Sequence, residues 1–328
     1  MKPFAYVNPK NEREAVGALS AQRGRTVPIA GGMDLLGLMK DYILQPEAVV
    51  NVKTLDATIA GPAQGTVRIG AAVRVADLVG HAELGRMFPA LTAAAESVGT
   101  PQIRNAGTLG GNLMQRPRCW YFRNEEFHCL KKGGARCFAV DGENQYHAIF
   151  GDAPCHIVHP STLALPILAY GGRMRVAGPK GEREVEGESF FVMPDRNMYG
   201  ETVLEPNELV THVILPVPRD IRSAHYEVKF KQSHDWPITM ATVALTMSGD
   251  VVSAARVILG AVAPVPWRAQ AAEAALVGKR VSAETAQAAA EAAVQDAQPM
   301  SGNAYKVRLA RTTVHRAVLR AAGLPLSA

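Results

Sequence analysis

Cysteine and aromatic residues are scarce in this sequence, whose 328 residues include four cysteines and 6% Phe, Trp and Tyr. So few cysteines in a chain of this length exclude a disulfide-dense secreted scaffold. The four are Cys119, Cys129, Cys137 and Cys155, separated by nine, seven and seventeen residues. These intervals do not match the paired C-x-x-C spacing of a zinc ribbon, so that module is excluded as well.

Long apolar runs are also missing. No stretch reaches the roughly 18 to 20 apolar residues that a membrane span needs. The N-terminus, Met-Lys-Pro-Phe-Ala-Tyr-Val, lacks the apolar core of a signal peptide. We therefore expect no membrane span and a cytoplasmic protein, with export alongside a signal-bearing partner, to the periplasm, as the alternative. Reducing conditions in the cytoplasm argue against disulfides.

Charge and histidine patterns exclude further classes of protein. The net charge is +5 and the basic residues are scattered, so we expect no nucleic-acid binding. The nine histidines do not cluster like metal ligands, and no Ser-His-Asp or paired-carboxylate arrangement follows from the spacing. We therefore predict no catalytic residue in this chain.

Composition and periodicity predict a folded chain of two or three domains, since 328 residues exceed one ordinary core. Helices are predicted over residues 11–22, with Asn11 as N-cap, and over 37–40, 75–81, 88–98, 163–168, 268–276, 283–295 and 304–322. Strands are predicted over residues 26–30, 48–52, 66–69, 172–177, 182–185, 210–217, 224–231, 241–248 and 253–261. Residues 178–181 are typical of a hairpin turn, 218–220 of a linker and 232–237 of a turn.

Gly31 and Gly32 lie between a predicted strand and a predicted helix. Two glycines let the backbone approach a phosphate closely, and the free amides of a new helix point at it. The segment is neither a G-x-G-x-x-G motif nor a P-loop. The alternative is that the two glycines form an ordinary turn that connects the strand to the helix.

A second glycine-rich segment, Gly107-Thr108-Leu109-Gly110-Gly111-Asn112, follows the helix that Gly99 and Pro101 end. Three glycines in five positions favour backbone that bends tightly or lies against something flat or charged. The side chains of Thr108 and Asn112 are candidates for hydrogen bonds to a ligand. The alternative is a tight turn in which both side chains satisfy local backbone.

Together these two segments resemble the FAD-binding medium subunit of the molybdenum hydroxylases, the family of xanthine dehydrogenase, aldehyde oxidoreductase and carbon monoxide dehydrogenase. The matching residues are Ala30-Gly31-Gly32-x-x-Leu35-Leu36-x-x-Met39-Lys40, Gln102-Ile103-Arg104-Asn105-x-Gly107-Thr108-x-Gly110-Gly111-Asn112-Leu113, Pro206-x-Glu208-Leu209, Leu259-Gly260-Ala261-Val262-Ala263-Pro264-x-Pro266-x-Arg268 and Tyr305-Lys306. The resemblance covers nearly the whole chain.

The resemblance implies an α+β fold in which a two-subdomain FAD-binding domain of the vanillyl-alcohol-oxidase/PCMH type precedes a C-terminal α+β domain with its sheet packed on helices. We place the FAD domain at residues 1–218, its subdomains at about 1–55 and 56–218, and the C-terminal domain at 219–328. The implied FAD-binding residues are Ala30, Gly31, Gly32, Met33, Asp34, Leu35, Thr100, Thr108, Gly110, Gly111, Asn112 and Thr162.

The four cysteines lie on an insertion, at about residues 116–158, that most medium subunits lack. This insertion is similar to the one that carries a 4Fe-4S cluster in periplasmic-type aldehyde oxidoreductases and 4-hydroxybenzoyl-CoA reductases, so the resemblance implies Cys119, Cys129, Cys137 and Cys155 as ligands. Six basic residues, Arg116, Arg118, Arg123, Lys131, Lys132 and Arg136, outnumber Glu125 and Glu126 around it and would offset the charge of a cluster. A zinc site and four unrelated buried cysteines are the alternatives.

Two positions depart from the family pattern. Met33 stands where a small hydroxyl residue commonly follows the first glycine pair, so a side-chain contact to the pyrophosphate is lost there. Thr162 stands where the family usually has an Asp that contacts flavin hydroxyls, and a Thr hydroxyl forms hydrogen bonds without adding charge.

The function that this resemblance implies is electron transfer through FAD and a 4Fe-4S cluster, between the 2Fe-2S and molybdenum subunits of a heterotrimer and an external acceptor, in aldehyde or aromatic heterocycle oxidation. Molybdopterin and 2Fe-2S clusters belong to the partner subunits. The alternatives are a 4-hydroxybenzoyl-CoA reductase subunit with electrons flowing toward molybdenum, a stand-alone flavin oxidase, and a non-enzymatic zinc-binding interaction module.

Overall fold

A computed structural model describes residues 1–231 and 234–326. The predicted turn over residues 232–237 therefore lies partly outside the described residues. The N-terminal part is a three-stranded parallel sheet with strand order β1-β3-β2. Its elements are β1 (Ala5–Val7), α1 (Glu12–Ala18), β2 (Thr26–Ile29), α2 (Leu35–Lys40) and β3 (Ala48–Asn51). Asn11 caps α1, as predicted, because its Oδ1 accepts the Glu14 N–H at 2.9 Å.

The second part is built on a five-stranded antiparallel sheet with strand order β4-β5-β8-β6-β7. Its strands are β4 (Ile59–Ala63), β5 (Thr66–Gly70), β6 (Arg173–Gly178), β7 (Gly181–Glu186) and β8 (Leu209–Pro216). Its helices are α3 (Val75–Gly80), α4 (Ala82–Met87), α5 (Pro89–Ser97), α6 (Pro101–Ala106), α7 (Leu109–Leu113), α8 (Ala164–Ala169) and α9 (Gly187–Phe190). Phe88 and Tyr170 meet edge to face at 5.1 Å in the core between these helices and the sheet.

The C-terminal part is a four-stranded antiparallel sheet with strand order β12-β11-β10-β9. Its elements are β9 (Ile221–Lys229), β10 (Pro237–Ser248), β11 (Val251–Gly260), β12 (Trp267–Arg268), α10 (Gln270–Leu276), α11 (Ala283–Ala292) and α12 (Tyr305–Ala321). Small residues of α12, including Ala310, Val314 and Ala317, are buried and let the helix lie close to the sheet. The predicted α+β class, with its sheet packed on helices at the C-terminus, is confirmed.

The structure differs from the predictions at short elements with weak periodicity. Strand β4, helix α4 and the two-residue strand β12 were not predicted. Pro101 ends one helix as expected but also begins α6, whose N-cap is Thr100. The second glycine-rich segment is not a tight turn, because residues from Leu109 onward form α7 with Thr108 as its N-cap.

The cysteine insertion has little regular structure of its own, with one 3₁₀ helix at Leu130–Lys132 among its described residues. Aromatic residues of the insertion pack against one another, as Tyr121 and Phe138 do, and the insertion also packs against other parts of the chain. Leu38 of α2 packs against Phe122 and Cys129 in a small apolar cluster. The insertion therefore folds against the glycine-turn region and not as a separate domain.

Candidate functional site

A cavity of about 520 Å³ lies between the two glycine-rich segments. Loops at residues 160–162, 200–206 and 234–237 complete its lining. All twelve predicted flavin contacts line this one cavity, namely Ala30, Gly31, Gly32, Met33, Asp34, Leu35, Thr100, Thr108, Gly110, Gly111, Asn112 and Thr162. The structure thus brings together residues up to 132 positions apart, from Ala30 to Thr162, although contact with a ligand stays a prediction.

The two glycine segments touch each other through their backbones. A Cβ placed on Gly31 would lie 2.1 Å from the carbonyl oxygen of Ala106, so only glycine fits there. Gly32 has a φ of +71°, a left-handed conformation that side chains disfavour. In α7, a Cβ on Gly110 would lie 2.9 Å from the Cβ of Ala71. The fold itself therefore requires glycine at positions 31, 32 and 110, independently of any ligand.

The first turn offers free backbone donors to the cavity. Among the described residues, no protein acceptor receives a hydrogen bond from the N–H groups of Gly32, Met33 and Asp34. Unpaired N–H groups at the start of a helix attract phosphate. This arrangement fits the pyrophosphate of a dinucleotide and compensates for the missing hydroxyl at Met33.

The polar groups of the second glycine-rich segment form hydrogen bonds with other groups of the protein. Thr108 Oγ1 accepts the N–H of Gly111 at 3.1 Å, and the N–H of Gly110 donates to the carbonyl of Ala71 at 2.9 Å. Asn112 Oδ1 accepts from the Ser161 hydroxyl at 2.8 Å and from the Leu163 N–H at 3.2 Å. These side-chain oxygens shape the cavity wall by holding the neighbouring backbone.

Asp34 is bound by the cysteine insertion and does not cap its own helix. Its carboxylate accepts the N–H of Arg116 at 2.7 Å and forms ion pairs with Arg118 at 2.6 Å and Arg123 at 2.5 Å. Burial lowers the pKa of Arg118 to about 10, although Asp34 opposes that effect. The cavity turn and the start of the insertion are thereby joined.

Glu201, in the loop that lines the cavity, is a second acid bound by the insertion. Its side chain is 7% exposed, with Arg116 Nε at 2.7 Å and Lys131 Nζ at 2.9 Å. Burial raises the pKa of Glu201, but these two cations outweigh it and the net pKa lies below its usual value. Lys131 also donates to the carbonyl oxygen of Met198 at 2.9 Å.

The ion pairs of Asp34 and of Glu201 with the insertion were not predicted from the sequence. Four of the six basic residues expected to offset a cluster charge, Arg116, Arg118, Arg123 and Lys131, instead pair with Asp34 and Glu201. Arg118 also lies over the ring of Trp236 at 4.4 Å, and both residues line the cavity. No sequence signal could have found these contacts, because the partners are distant along the chain.

The four predicted ligand cysteines converge on one small, separate cavity together with His147 and Ile157. Cys129 and Cys155 are buried, Cys119 and Cys137 are half-buried, and all four are free thiols. Among residues 1–231 and 234–326, no group of three or more His, Cys, Asp or Glu side chains is arranged to hold a metal ion. The cysteines are therefore neighbours, but the structure shows no metal site.

The pKa values of Cys137 and Cys155 shift in opposite directions. A hydrogen bond between the sulfurs lowers the pKa of Cys137 and raises the pKa of Cys155. Burial raises the pKa of Cys119 to about 11, and His147 Nε2 lies 3.3 Å from its Sγ. Burial lowers the pKa of His147 to about 4, so its ring is neutral at pH 7.

The second half of the insertion is bound to the C-terminal sheet and helices. Asn303 Nδ2 donates to the carbonyl oxygens of His147 and Ala148 at 3.1 and 3.0 Å. The buried Lys306 Nζ donates to the carbonyl oxygens of Tyr146 and His147 at 3.1 and 2.9 Å. Residues around the cysteines are therefore held from two sides of the molecule.

No helix within the described part of the chain is both long and apolar enough to cross a membrane. Two family models match the chain. "FAD binding domain in molybdopterin dehydrogenase" matches residues 2–218, and "CO dehydrogenase flavoprotein C-terminal domain" matches residues 224–321.

Characterised relatives match over nearly the whole length. The chain is 34% identical over 322 residues to the aldehyde oxidoreductase FAD-binding subunit PaoB of Escherichia coli (strain K12), covering 96% of each chain. It is 29% identical over 320 residues to the carbon monoxide dehydrogenase medium chain of Hydrogenophaga pseudoflava, again covering 96% of each. A solved chain of carbon monoxide dehydrogenase from Oligotropha carboxidovorans superposes with a TM-score of 0.77 at 26% identity, over 99% of both chains.

Proposed function

The chain belongs to the FAD-binding medium subunits of the molybdenum hydroxylase family, and from that premise we propose that it transfers electrons through FAD and a 4Fe-4S cluster. We propose that they pass from 2Fe-2S and molybdenum-cofactor subunits of a heterotrimer to an external acceptor. Aldehyde or aromatic heterocycle oxidation is the proposed overall reaction. The single observation that supports the flavin role best is the convergence of twelve predicted contacts on one cavity.

The residues of the cavity fit FAD. The unpaired N–H groups of Gly32, Met33 and Asp34 would hold the pyrophosphate, and Gly111 in α7 would let the flavin lie close to the backbone. Thr162 would contribute a hydroxyl without charge. When bound, FAD supplies two-electron and one-electron redox chemistry, and the protein positions it.

The donor set at the second cavity fits an iron-sulfur cluster, and the resemblance of the insertion to cluster-bearing ones favours that cluster over zinc. Four cysteines line it and no carboxylate does, and soft thiolates suit iron-sulfur clusters. We propose Cys119, Cys129, Cys137 and Cys155 as the ligands of one 4Fe-4S cluster. Its role is either electron entry and exit near the flavin or a structural link within the insertion. A redox titration separates these, because an electron carrier must be reducible at potentials that turnover reaches.

We propose an FAD-binding domain over residues 1–218, which contains the insertion at about 116–158, and a C-terminal domain over residues 219–328. We place the complex in the cytoplasm, where reducing conditions keep the four cysteines from forming disulfides. The acid–base and nucleophilic steps of substrate oxidation belong to the molybdenum subunit in this proposal, because no catalytic residue is assigned here.

The test is the absorption spectrum and metal content of anaerobically purified protein, followed by copurification from the native source. We expect flavin bands, iron with acid-labile sulfide, and two partner chains. A chain that binds flavin, oxidises an aldehyde alone and brings no partner would favour a stand-alone oxidase. A colourless chain with zinc would contradict the whole proposal, and partner chains of a reductase would reverse the direction of electron flow.

A further inference from the structure

The cysteine insertion is bound to the flavin cavity through two carboxylates. Asp34 lies in the glycine turn, and Glu201 lies in another loop of the lining. Both carboxylates are mostly buried, with side-chain exposures of 17% and 7%. Neither acid takes its cationic partners from its own neighbourhood in the chain, since all four partners belong to the insertion.

Arg123 is the informative partner, because it reaches Asp34 without lining the cavity. Its Nη2 lies 2.5 Å from Asp34 Oδ1. Its other bonds run to the insertion itself, with Nε donating to the carbonyl of Pro117 at 2.7 Å and Nη2 to that of Arg116 at 3.1 Å. One guanidinium thus fixes both the path of the insertion and the carboxylate of the glycine turn. Arg123 is absent from the residues that surround the cavity, so its effect on a ligand is indirect, and Asp34 is its ion-pair partner in the lining.

Lys131 makes the same connection to the other loop. Its side chain is fully buried on the 3₁₀ helix that follows Cys129, and its Nζ lies 2.9 Å from Glu201 Oε1. The same Nζ donates to the carbonyl oxygens of Met198 and Gly200. Removing one partner of a buried charged pair leaves an uncompensated buried charge and is strongly destabilising. The loop therefore depends on the insertion for its position.

We propose that Asp34 and Glu201 are positioning residues through which the cysteine insertion sets the affinity of the cavity for FAD. With its carboxylate held by the insertion, Asp34 keeps the Gly32–Asp34 amides in place, and Glu201 keeps the facing loop residues in the lining. Loss of either link lets these segments move and weakens flavin binding without removing any group that touches the flavin. This inference rests on the flavin function proposed above and not on the identity of the metal at the cysteines.

The test compares FAD retention in full-length chains purified with any partners that remain bound. Arg123→Met removes the ion pair, Arg123→Lys keeps the charge, and Arg136→Met is the matched control, because Arg136 lies over the ring of Phe138 and pairs with neither acid. FAD released on dilution is followed by its fluorescence. We expect at least a tenfold weaker FAD affinity in Arg123→Met, a smaller loss in Arg123→Lys and none in Arg136→Met. Circular dichroism and iron content should stay at the wild-type level in all three.

A double substitution tests whether Arg123 affects FAD binding through Asp34. If Arg123 acts through Asp34, then Arg123→Met combined with Asp34→Asn should weaken FAD binding no more than Asp34→Asn alone. Additive losses would overturn the inference, as would equal FAD affinity in Arg123→Met and Arg136→Met. These failures leave the flavin function intact, whereas a wild-type chain that takes up no FAD overturns both.

Discussion

The rings of Phe150 and Trp267 stack in parallel, with centroids 5.3 Å apart and 15° between their planes. Phe150 lies at the end of the cysteine insertion, whereas Trp267 begins β12 of the C-terminal sheet. Beside this stack, the backbone N–H groups of Ile149 and Phe150 both donate to the carbonyl of Val262. The insertion is therefore part of the C-terminal core at one end and part of the flavin cavity at the other.

Removing the Asn303 side chain should weaken the attachment of the cysteine insertion to the C-terminal core. The Asn303 side chain is fully buried, donates to the carbonyls of His147 and Ala148, and accepts from the N–H of Met300. Asn303→Ala removes the partner of the Ala148 carbonyl and of the Met300 N–H, whereas the His147 carbonyl keeps Lys306, and each buried group left unpaired costs about 1–3 kcal/mol. We expect the free energy of unfolding in urea to fall by at least about 2 kcal/mol. Gln287→Ala is the control, since that exposed side chain bonds only Glu291, and a similar loss there would contradict the explanation.

Glycine substitutions should separate the fold from the flavin site. A Cβ on Gly31 would clash with the Ala106 carbonyl, whereas one on Gly111 meets only Thr108 Oγ1 at 3.1 Å and Ala30 Cβ at 3.9 Å. Gly31→Ala should therefore lower stability, and Gly111→Val should empty the cavity of FAD while the fold remains. Flavin absorbance per chain and the melting temperature are the two measurements. Full FAD occupancy in Gly111→Val, and equally in Gly32→Val, would remove the basis of the assignment.

The cysteines should bind about four iron and four sulfide per chain, with little zinc. Replacing Cys137 with Ser should cost most of that iron, because a harder oxygen ligand replaces a thiolate sulfur. Iron and acid-labile sulfide analysis of anaerobic preparations measures this. Cys119, Cys129 and Cys155 should behave alike if all four are ligands. Unchanged iron after any one substitution would exclude that cysteine from the set.

Stability should decline as the pH falls below the ordinary titration range of histidine. His225 is buried, its Nδ1 lies 2.9 Å from Thr242 Oγ1, and burial lowers its pKa to about 3. Between pH 6.5 and 3 the unfolded chain takes up a proton that the folded chain refuses, so stability is lost at about 1.4 kcal/mol per pH unit.

Denaturant unfolding at pH 7.5 and 5.5 should show this loss directly. In His225→Asn the difference between the two pH values should shrink by about 1 kcal/mol, because the replacement does not titrate. An unchanged difference in His225→Asn would show that His225 is not the group responsible.

Local sequence patterns determined much of this protein. Asn11 and Gly99 mark helix ends because capping depends on a few adjacent residues, and alternating apolar positions predict most strands of the antiparallel sheets. The family resemblance of the two glycine segments predicts one shared FAD site, and in the structure glycine at position 31 allows their backbones to come close. Element ends were less accurate, and α7 was taken for a turn, because two glycines conceal the helix that Thr108 caps.

The tertiary structure alone decided how the site is held together. Arg123 pairs with Asp34 across 89 positions, and Lys131 pairs with Glu201 across 70. A cluster of basic residues beside cysteines predicts that their charges offset that of a metal cluster. The sequence shows these charges, but it does not show toward which partner each side chain points. Long side chains find their partners only when separate segments are folded against each other. For that reason the sequence, through its family resemblance, predicts the residues of a flavin site, and only the fold shows that the cysteine insertion is bound to the cavity that they line.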